Sequence, residues 1–261
     1  FIDRAFASGA AAALVDRPVA GPHVLVADTT AALHDLARAA RDRVAATVIG
    51  VTGSVGKTGV KEAVFASLVR SSRGQTHRSI RSYNNHVGVP LTLSRMPPRS
   101  TFGVFEMGMN HAGEIAHLAG LVRPHVAVVT TIAPAHIENL GSIEGIAAAK
   151  AEIFGGLRPG GTAITRIQAV IPADSPQFAI LRDAALAAGA KVISFGRADH
   201  ADMRLIDSIP DASGGSLVTA DLLGQRLCYT VAEPGEHWVA NSACVMAAVH
   251  AAGGDLGAAG L

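Results

Sequence analysis

Short, continuous apolar runs alternate along most of this chain with stretches whose apolar residues recur every three or four positions. The first kind reads as strands buried on both faces, the second as amphipathic helices. Phe1–Ser8 reads as a helix fragment, and Ala12–Val15 and His23–Val26 as strands. Thr29 or Thr30 supplies a cap for a helix running to about Arg43, with Leu33, Leu36, Ala37 and Ala40 on one face. Thr47–Val51 is a β-branched run leading into a glycine-rich turn and a helix from about Thr58 to Val69. Further strands are expected at Phe102–Glu106, Val126–Ile132, Thr162–Thr165 and Lys191–Phe195. Helices at about Gly113–Val122, Ser142–Leu157 and Asp174–Ala188 separate them. This alternation predicts an α/β fold with a mostly parallel sheet flanked by helices. After Gly196 the texture changes: Met203–Ile209, Ser216–Leu222 and Arg226–Val231 alternate apolar and polar residues, as an antiparallel edge does. A helix over Glu236–Ala252 closes the pattern.

Composition narrows the class. The chain has 261 residues, 49% hydrophobic and 16% charged, against a charged fraction of about 25% in ordinary soluble domains. That excludes disorder, collagen-like repeats and disulfide scaffolds. The longest apolar runs, such as Gly9–Val15, fall short of the roughly 18–20 residues that span a bilayer, so no membrane insertion is expected. The opening Phe-Ile-Asp-Arg-Ala-Phe has neither a basic start nor a long apolar stretch, so no signal peptide is read. A net charge of +1 argues against a dedicated nucleic-acid binder. Cys228 and Cys244 have no metal-ligand spacing and read as two thiols in a reducing, cytoplasmic setting. The expected state is a monomer.

The strongest chemical signal is Gly50-Val-Thr-Gly-Ser-Val-Gly-Lys-Thr58. A strand delivers this loop, its glycines let backbone N–H groups turn toward phosphate oxygens, and the next helix adds its positive N-terminal end. Gly53, Ser54, Val55, Gly56, Lys57, Thr58 and Gly59 are the expected ATP-binding residues, with Lys57 reaching the β- and γ-phosphates and the Thr58 hydroxyl suited to Mg²⁺. A glycine-rich turn with a chance Gly-Lys-Thr is the plain alternative, against which strand, loop and helix context all argue. The general phosphate-loop motif has a glycine where Val51 stands.

The loop resembles the nucleotide loop of the Mur ligase family, ATP-dependent amide-forming enzymes of peptidoglycan synthesis, in which that first glycine is also dispensed with. Three further segments sustain the resemblance: Asn84-Asn85-His-Val-Gly-Val-Pro-Leu-Thr92, Phe105-Glu-Met-Gly-Met-Asn-His-Ala-Gly-Glu-Ile115 and Ala135-His-Ile-Glu-Asn-Leu-Gly-Ser142. Together they are similar to the member that adds D-alanyl-D-alanine to the UDP-N-acetylmuramoyl-tripeptide. The resemblance implies those two substrates, ATP, two Mg²⁺ ions and an acyl-phosphate intermediate. Another Mur-type ligase, adding a single amino acid or glutamates to folate, is the alternative within the class. A phosphate-loop module that binds ATP without ligating is the alternative outside it.

Glu106 and His136 each follow a buried strand at the edge where the phosphate loop opens, where ligands of open parallel sheets bind. There they can orient Mg²⁺; helix capping for Glu106 and a loop hydrogen bond for His136 are the plain readings. Lys150 shares a helical face with Ile146, Ala147, Ile153 and Phe154, so it is expected to be buried with a lowered amine pKa, unless it snorkels from the edge. A neutral amine can take up CO₂, and the family resemblance implies a carbamylated lysine here, holding the second Mg²⁺. In Gly235-Glu-His-Trp-Val-Ala-Asn241, His237 and Asn241 share a face, where both are candidate ATP-binding residues that could meet a purine edge. The family pattern implies that Asn241 contacts adenine, with Trp238 standing where the family has Asn; His237 reads equally as a capping residue.

Asn84, Asn85 and His111 are the candidate substrate contacts, although pairing with the helix dipole explains the nearby Glu114 equally well. The run Arg70–Arg81 reads as a solvated face. Against the family the chain is expected to be a central piece. Residues 1–45 resemble the end of an N-terminal UDP-sugar-binding domain, residues 46–261 the ATP-binding domain, and the C-terminal ligase domain is absent.

Overall fold

The computed structural model describes residues 1–135, 137–160, 166–212 and 214–259. The chain opens with α1 (Ile2–Ala7), β1 (Ala13–Val15) and β2 (His23–Leu25), the two strands pairing in parallel as a small separate sheet. Then come α2 (Thr29–Asp42), β3 (Thr47–Thr52), α3 (Lys57–Ser71), β4 (Thr76–Arg78), α4 (Gly88–Ser94), β5 (Phe102–Glu106), α5 (Glu114–Val122) and β6 (Val126–Val129). A short α6 (Ile137–Leu140) precedes α7 (Ile143–Ala151), which tightens into a 3₁₀ turn over Glu152–Gly156. The remainder is β7 (Gln168–Pro172), α8 (Phe178–Ala187), β8 (Lys191–Gly196), β9 (Met203–Pro210), β10 (Ser216–Leu222), β11 (Gln225–Val231) and α9 (Glu236–Ala251).

Among the described residues the large sheet runs β11-β10-β9-β8-β7-β6-β3-β5-β4. It is parallel from β4 through β9 and antiparallel across β9, β10 and β11. Alternation along the central strands divides the core into two layers. Ile49, Val51, Val104, Val126, Val128 and Val170 point to the face covered by α3 and α9. Val48, Phe105, Ala127, Val129, Ala169 and Ile171 point to the other face, packed against residues of α5, α7 and α8 such as Ile115, Leu118, Ile146 and Leu181. Because β3 lies between β5 and β6, the chain leaves its central strand in one direction and returns on the other side. The carboxyl ends of β3, β5 and β6 therefore share one crevice. Among the described residues no helix is long and apolar enough to cross a membrane.

Several sequence expectations are corrected. α2 is capped by Asp28, whose carboxylate accepts from the N–H groups of Thr30 (2.7 Å) and Ala31 (3.0 Å), rather than by either threonine. Leu36 is exposed, and Ala37, Ala40 and Arg41 form the buried stripe of that helix. The strand expected at Thr162–Thr165 lies outside the described residues, while Gln168–Pro172 forms β7 between β6 and β8. α8 begins at Phe178 because Asp174 serves elsewhere, accepting from the N–H groups of Arg197 and Ala198 in the turn after β8. The arginine-rich run contains the edge strand β4. Arg78 lies over the Phe65 ring at 3.9 Å and pairs with Glu62 at 2.7 Å, and Ser79 is buried.

Leu68 is fully buried where α3 meets α9 and the turn at Gly254. Leu68→Ala should cost about 2–5 kcal/mol of unfolding free energy by chemical denaturation, the range for a truncated core leucine that leaves a cavity.

Candidate functional site

The loop between β3 and α3 is held from outside its own sequence. The Ser54 N–H donates to the Thr131 carbonyl at 2.7 Å, and the Ser54 hydroxyl exchanges hydrogen bonds with the Ala133 carbonyl and N–H. The Thr130 hydroxyl donates to the Val55 carbonyl at 2.6 Å. Gly53 (φ +145°) and Gly56 (φ +86°) lie where L side chains are strained. A Cβ on Gly53 would collide with the Thr130 side chain, and one on Gly56 would stand 2.9 Å from Asn241 Oδ1. Lys57 donates inward to the carbonyls of Gly53 (2.7 Å) and Ser54 (3.1 Å), which keeps its ammonium at the mouth of the loop. Burial lowers its pKa, against the pull of Glu106.

Glu106, at the end of β5, is 1% exposed. Its Oε2 accepts from the Thr58 hydroxyl at 2.9 Å and its Oε1 from the Asn84 amide at 2.8 Å. Lys61 Nζ lies 4.0 Å away, buried, and donates to the carbonyls of Ser79 and Arg81. A carboxylate oxygen beside a threonine hydroxyl at the foot of the phosphate loop is a hard donor pair of the kind Mg²⁺ takes. Among the described residues no cluster of three or more His, Cys, Asp or Glu adds to it. Asn84 also accepts from the Gly108 N–H, so it braces the chain leaving β5. Asn85 Oδ1 accepts from the N–H groups of Val87 and Gly88 and so shapes the entry to α4.

Lys150 is 2% exposed at the end of α7, and among the described residues no side chain forms an ion pair with it. Burial, then repulsion from Lys57, brings its pKa down to about 8, with Glu152 opposing. As an ammonium it does not suit a cation site; as a carbamate it would present two anionic oxygens. Glu152 accepts from the N–H groups of Gly113 (2.7 Å) and Ala116 (3.1 Å), capping α5 from the turn after Lys150.

The loop, Asn84, Asn85 and Lys150 open on one cavity of about 660 Å³, bounded by Gly53, Ser54, Lys57, Asn84, Asn85 and Lys150 at the loop end and by His86, Asn110, Glu114 and His117 beyond. His111 is exposed, 3.4 Å from Glu114 Oε1, and is not among the residues lining the cavity. Glu114 has a lowered pKa because it accepts from the Asn110 N–H. His136 lies outside the described residues. On the far flank of α3 a smaller apolar hollow of about 230 Å³ is lined by Gly59, Ala63, Val231, Trp238 and Asn241. Trp238 packs so closely on Gly59 that a Cβ there would stand 3.0 Å from its ring. His237 is exposed, tilted against the Trp238 ring at 5.6 Å between centroids.

Sequence reasoning missed Thr130, Lys61 and Glu152. Only Lys61 had a local signal, standing four residues after Lys57 and hence on the same helical face. Gly53→Ala should lower thermal stability by about 1–3 kcal/mol, the cost of a strained backbone, whereas Gly120→Ala, where a Cβ meets nothing within 4 Å, should not.

The family profile described as the Mur ligase middle domain matches residues 51–249. The UDP-N-acetylmuramoyl-tripeptide–D-alanyl-D-alanine ligase of Escherichia coli (strain K12) is 46% identical over 166 residues, 63% of this chain. The chain spans 36% of that protein's length. A crystal structure of MurF from Acinetobacter baumannii superposes with a TM-score of 0.84 at 30% identity, covering 99% of this chain and 55% of that one. The MurF ligase of Thermotoga maritima in complex with ADP gives 0.81 at 26% identity, covering 100% and 59%. With the family profile covering most of its length and the fold shared throughout, the chain belongs to the Mur ligase family.

Proposed function

We propose that the protein carrying this segment is an ATP-dependent ligase of peptidoglycan synthesis that joins D-alanyl-D-alanine to the UDP-N-acetylmuramoyl-tripeptide. The observation that carries this reading is the convergence of the phosphate loop, Asn84 and Lys150 on one cavity, with the Thr58–Glu106 pair hydrogen-bonded to Asn84 behind its wall. The similarity to ligases bearing that name supports the choice of substrates. The reading takes residues 1–45 as the tail of a UDP-sugar-binding domain and residues 46–261 as the ATP-binding unit of a cytoplasmic monomer.

In this proposal the loop N–H groups and Lys57 hold the β- and γ-phosphates, and Asn241 and Trp238 bound an adenine site in the apolar hollow. A terminal carboxylate oxygen of the tripeptide attacks the γ-phosphorus, the bond to the β-phosphate oxygen breaks, and an acyl phosphate and ADP result. The dipeptide amine then attacks the acyl carbon, loses a proton and expels inorganic phosphate. Lys57 offsets the charge that spreads over the transferring phosphoryl oxygens. Thr58, Glu106, His136 and a carbamylated Lys150 would hold two Mg²⁺ ions, which supply charge neutralisation at the phosphates when bound. Asn84 keeps Glu106 aimed at Thr58, and Asn85 and His111 are taken as contacts to the peptide substrate.

Phosphate release should require both the tripeptide and D-alanyl-D-alanine; release independent of the dipeptide overturns this reading. Lys57→Ala should weaken ATP binding by about tenfold or more, measured by calorimetry. Carbamylation joins the neutral Lys150 amine to CO₂ through a new N–C bond and releases one proton. Its depressed pKa of about 8 leaves a usable neutral fraction at neutral pH, rising as pH increases toward 8 and beyond. ¹³C-bicarbonate should therefore give a carbamate carbon resonance that grows over that range and is missing from Lys150→Arg. A spectrum identical in the variant would sink the carbamate.

A further inference from the structure

The opposite edge of the sheet, at the amino ends of β3 and β6, holds a pocket of about 490 Å³ lined by Arg41, Asp42, Arg123, His125 and Arg158 among others. His125 is 4% exposed and locked to β3 by two backbone contacts. Its N–H donates to the Val48 carbonyl, and its ring Nδ1 accepts from the Val48 N–H, both at 2.8 Å. A ring nitrogen that accepts from a backbone N–H carries no proton, so in the neutral imidazole the proton sits on Nε2. The ring is neutral near pH 7, since burial and then the Arg41 charge lower its pKa to about 4.

That Nε2–H stands 3.4 Å from Arg41 Nη2. A guanidinium only donates, so this is a contact of two donors and not a hydrogen bond. Arg41, itself 7% exposed, is fixed by donating to the carbonyls of Val122, Val44 and Arg123. Burial, and after it the nearby Arg123, brings its own pKa down to about 10. The lining thus carries three guanidinium groups and one carboxylate, Asp42, which Arg123 already pairs with. Among the described residues this buried N–H donor has no acceptor, and such a donor beside an excess of two positive charges in a pocket is the arrangement that an oxyanion completes.

We propose that this pocket is an anion site separate from the phosphate loop, taking a phosphate group against the His125 Nε2–H and the guanidinium groups of Arg41, Arg123 and Arg158. The excess of two charges matches a phosphate dianion better than a single carboxylate, and it serves equally for free phosphate or a phosphate monoester. The site rests on nothing assumed about ligase activity.

The test follows the His125 ring nitrogens by NMR in the full 261-residue chain as inorganic phosphate, and separately methyl phosphate, is added. The His125→Gln variant identifies the signal. Before addition, Nε2 should carry the proton. On addition its resonance should move saturably, about tenfold more weakly in Arg158→Gln, the loss of one charge-assisted contact. Lys57→Ala should leave the titration unchanged. Tighter response to inorganic phosphate identifies the free ion as the ligand, and tighter response to methyl phosphate an ester. Arg158 is exposed, so its replacement leaves the fold intact, which the melting curve verifies. An Nδ1–H tautomer, the lack of a saturable shift with either anion, or an unchanged titration in Arg158→Gln each overturns the proposal.

Discussion

A carboxylate buried at the end of a central strand costs several kcal/mol unless its oxygens are satisfied, and the carboxyl edge of this sheet is organised around that requirement. Glu106 draws in the Thr58 hydroxyl from the first turn of α3 and the Asn84 amide from the loop before α4. Its N–H takes the Ser79 hydroxyl beyond β4, and Lys61 balances its charge while holding the carbonyls of the same segment. Four separate stretches of chain are thereby fixed relative to one another at the mouth of the phosphate loop. Removal of Thr58, Asn84 or Lys61 leaves the buried carboxylate short of a partner, and removal of Ser79 leaves a buried N–H short of one, each more costly than the loss of an exposed hydrogen bond.

The loop itself is built by the neighbouring strand. Thr130 and Ala133 beyond β6 hold Val55 and Ser54, so the loop backbone is shaped by the protein's own contacts. Such preorganisation lowers the cost of ordering on binding. Asn241 closes the loop from the side of α9, near enough to Gly56 that the loop and the last helix constrain each other's positions.

What could be read in the sequence was what depends on near neighbours. The strand–loop–helix from Thr47 to Val69 follows from a β-branched run, glycines and Gly-Lys-Thr within one short window. The burial of Lys150 follows from its spacing to Ile146 and Ile153 on a single turn-and-a-half of helix. The two-faced parallel sheet with an antiparallel end was likewise legible in the change from continuous to alternating apolar runs. What stayed hidden was set by contacts across the chain. Thr130 meets the loop 75 residues away, and Asp174 leaves its expected helix for a turn 23 residues on. The edge strand β4 hides in an arginine-rich run because Phe65 and Glu62 on another element absorb the Arg78 side chain.

One of those distant contacts has a bearing on how the protein is assembled. The first turn of α5 lacks a side-chain cap from its own flank and takes one from Glu152, whose carboxylate reaches the N–H groups of Gly113 and Ala116 across 39 and 36 residues. During synthesis α5 emerges well before that carboxylate exists. Its leading donors stay with water until α7 and the turn after it have docked. The wall of the cavity formed by α5 is therefore anchored on the turn that follows Lys150, and the capped start of α5 is complete only once that turn is in place.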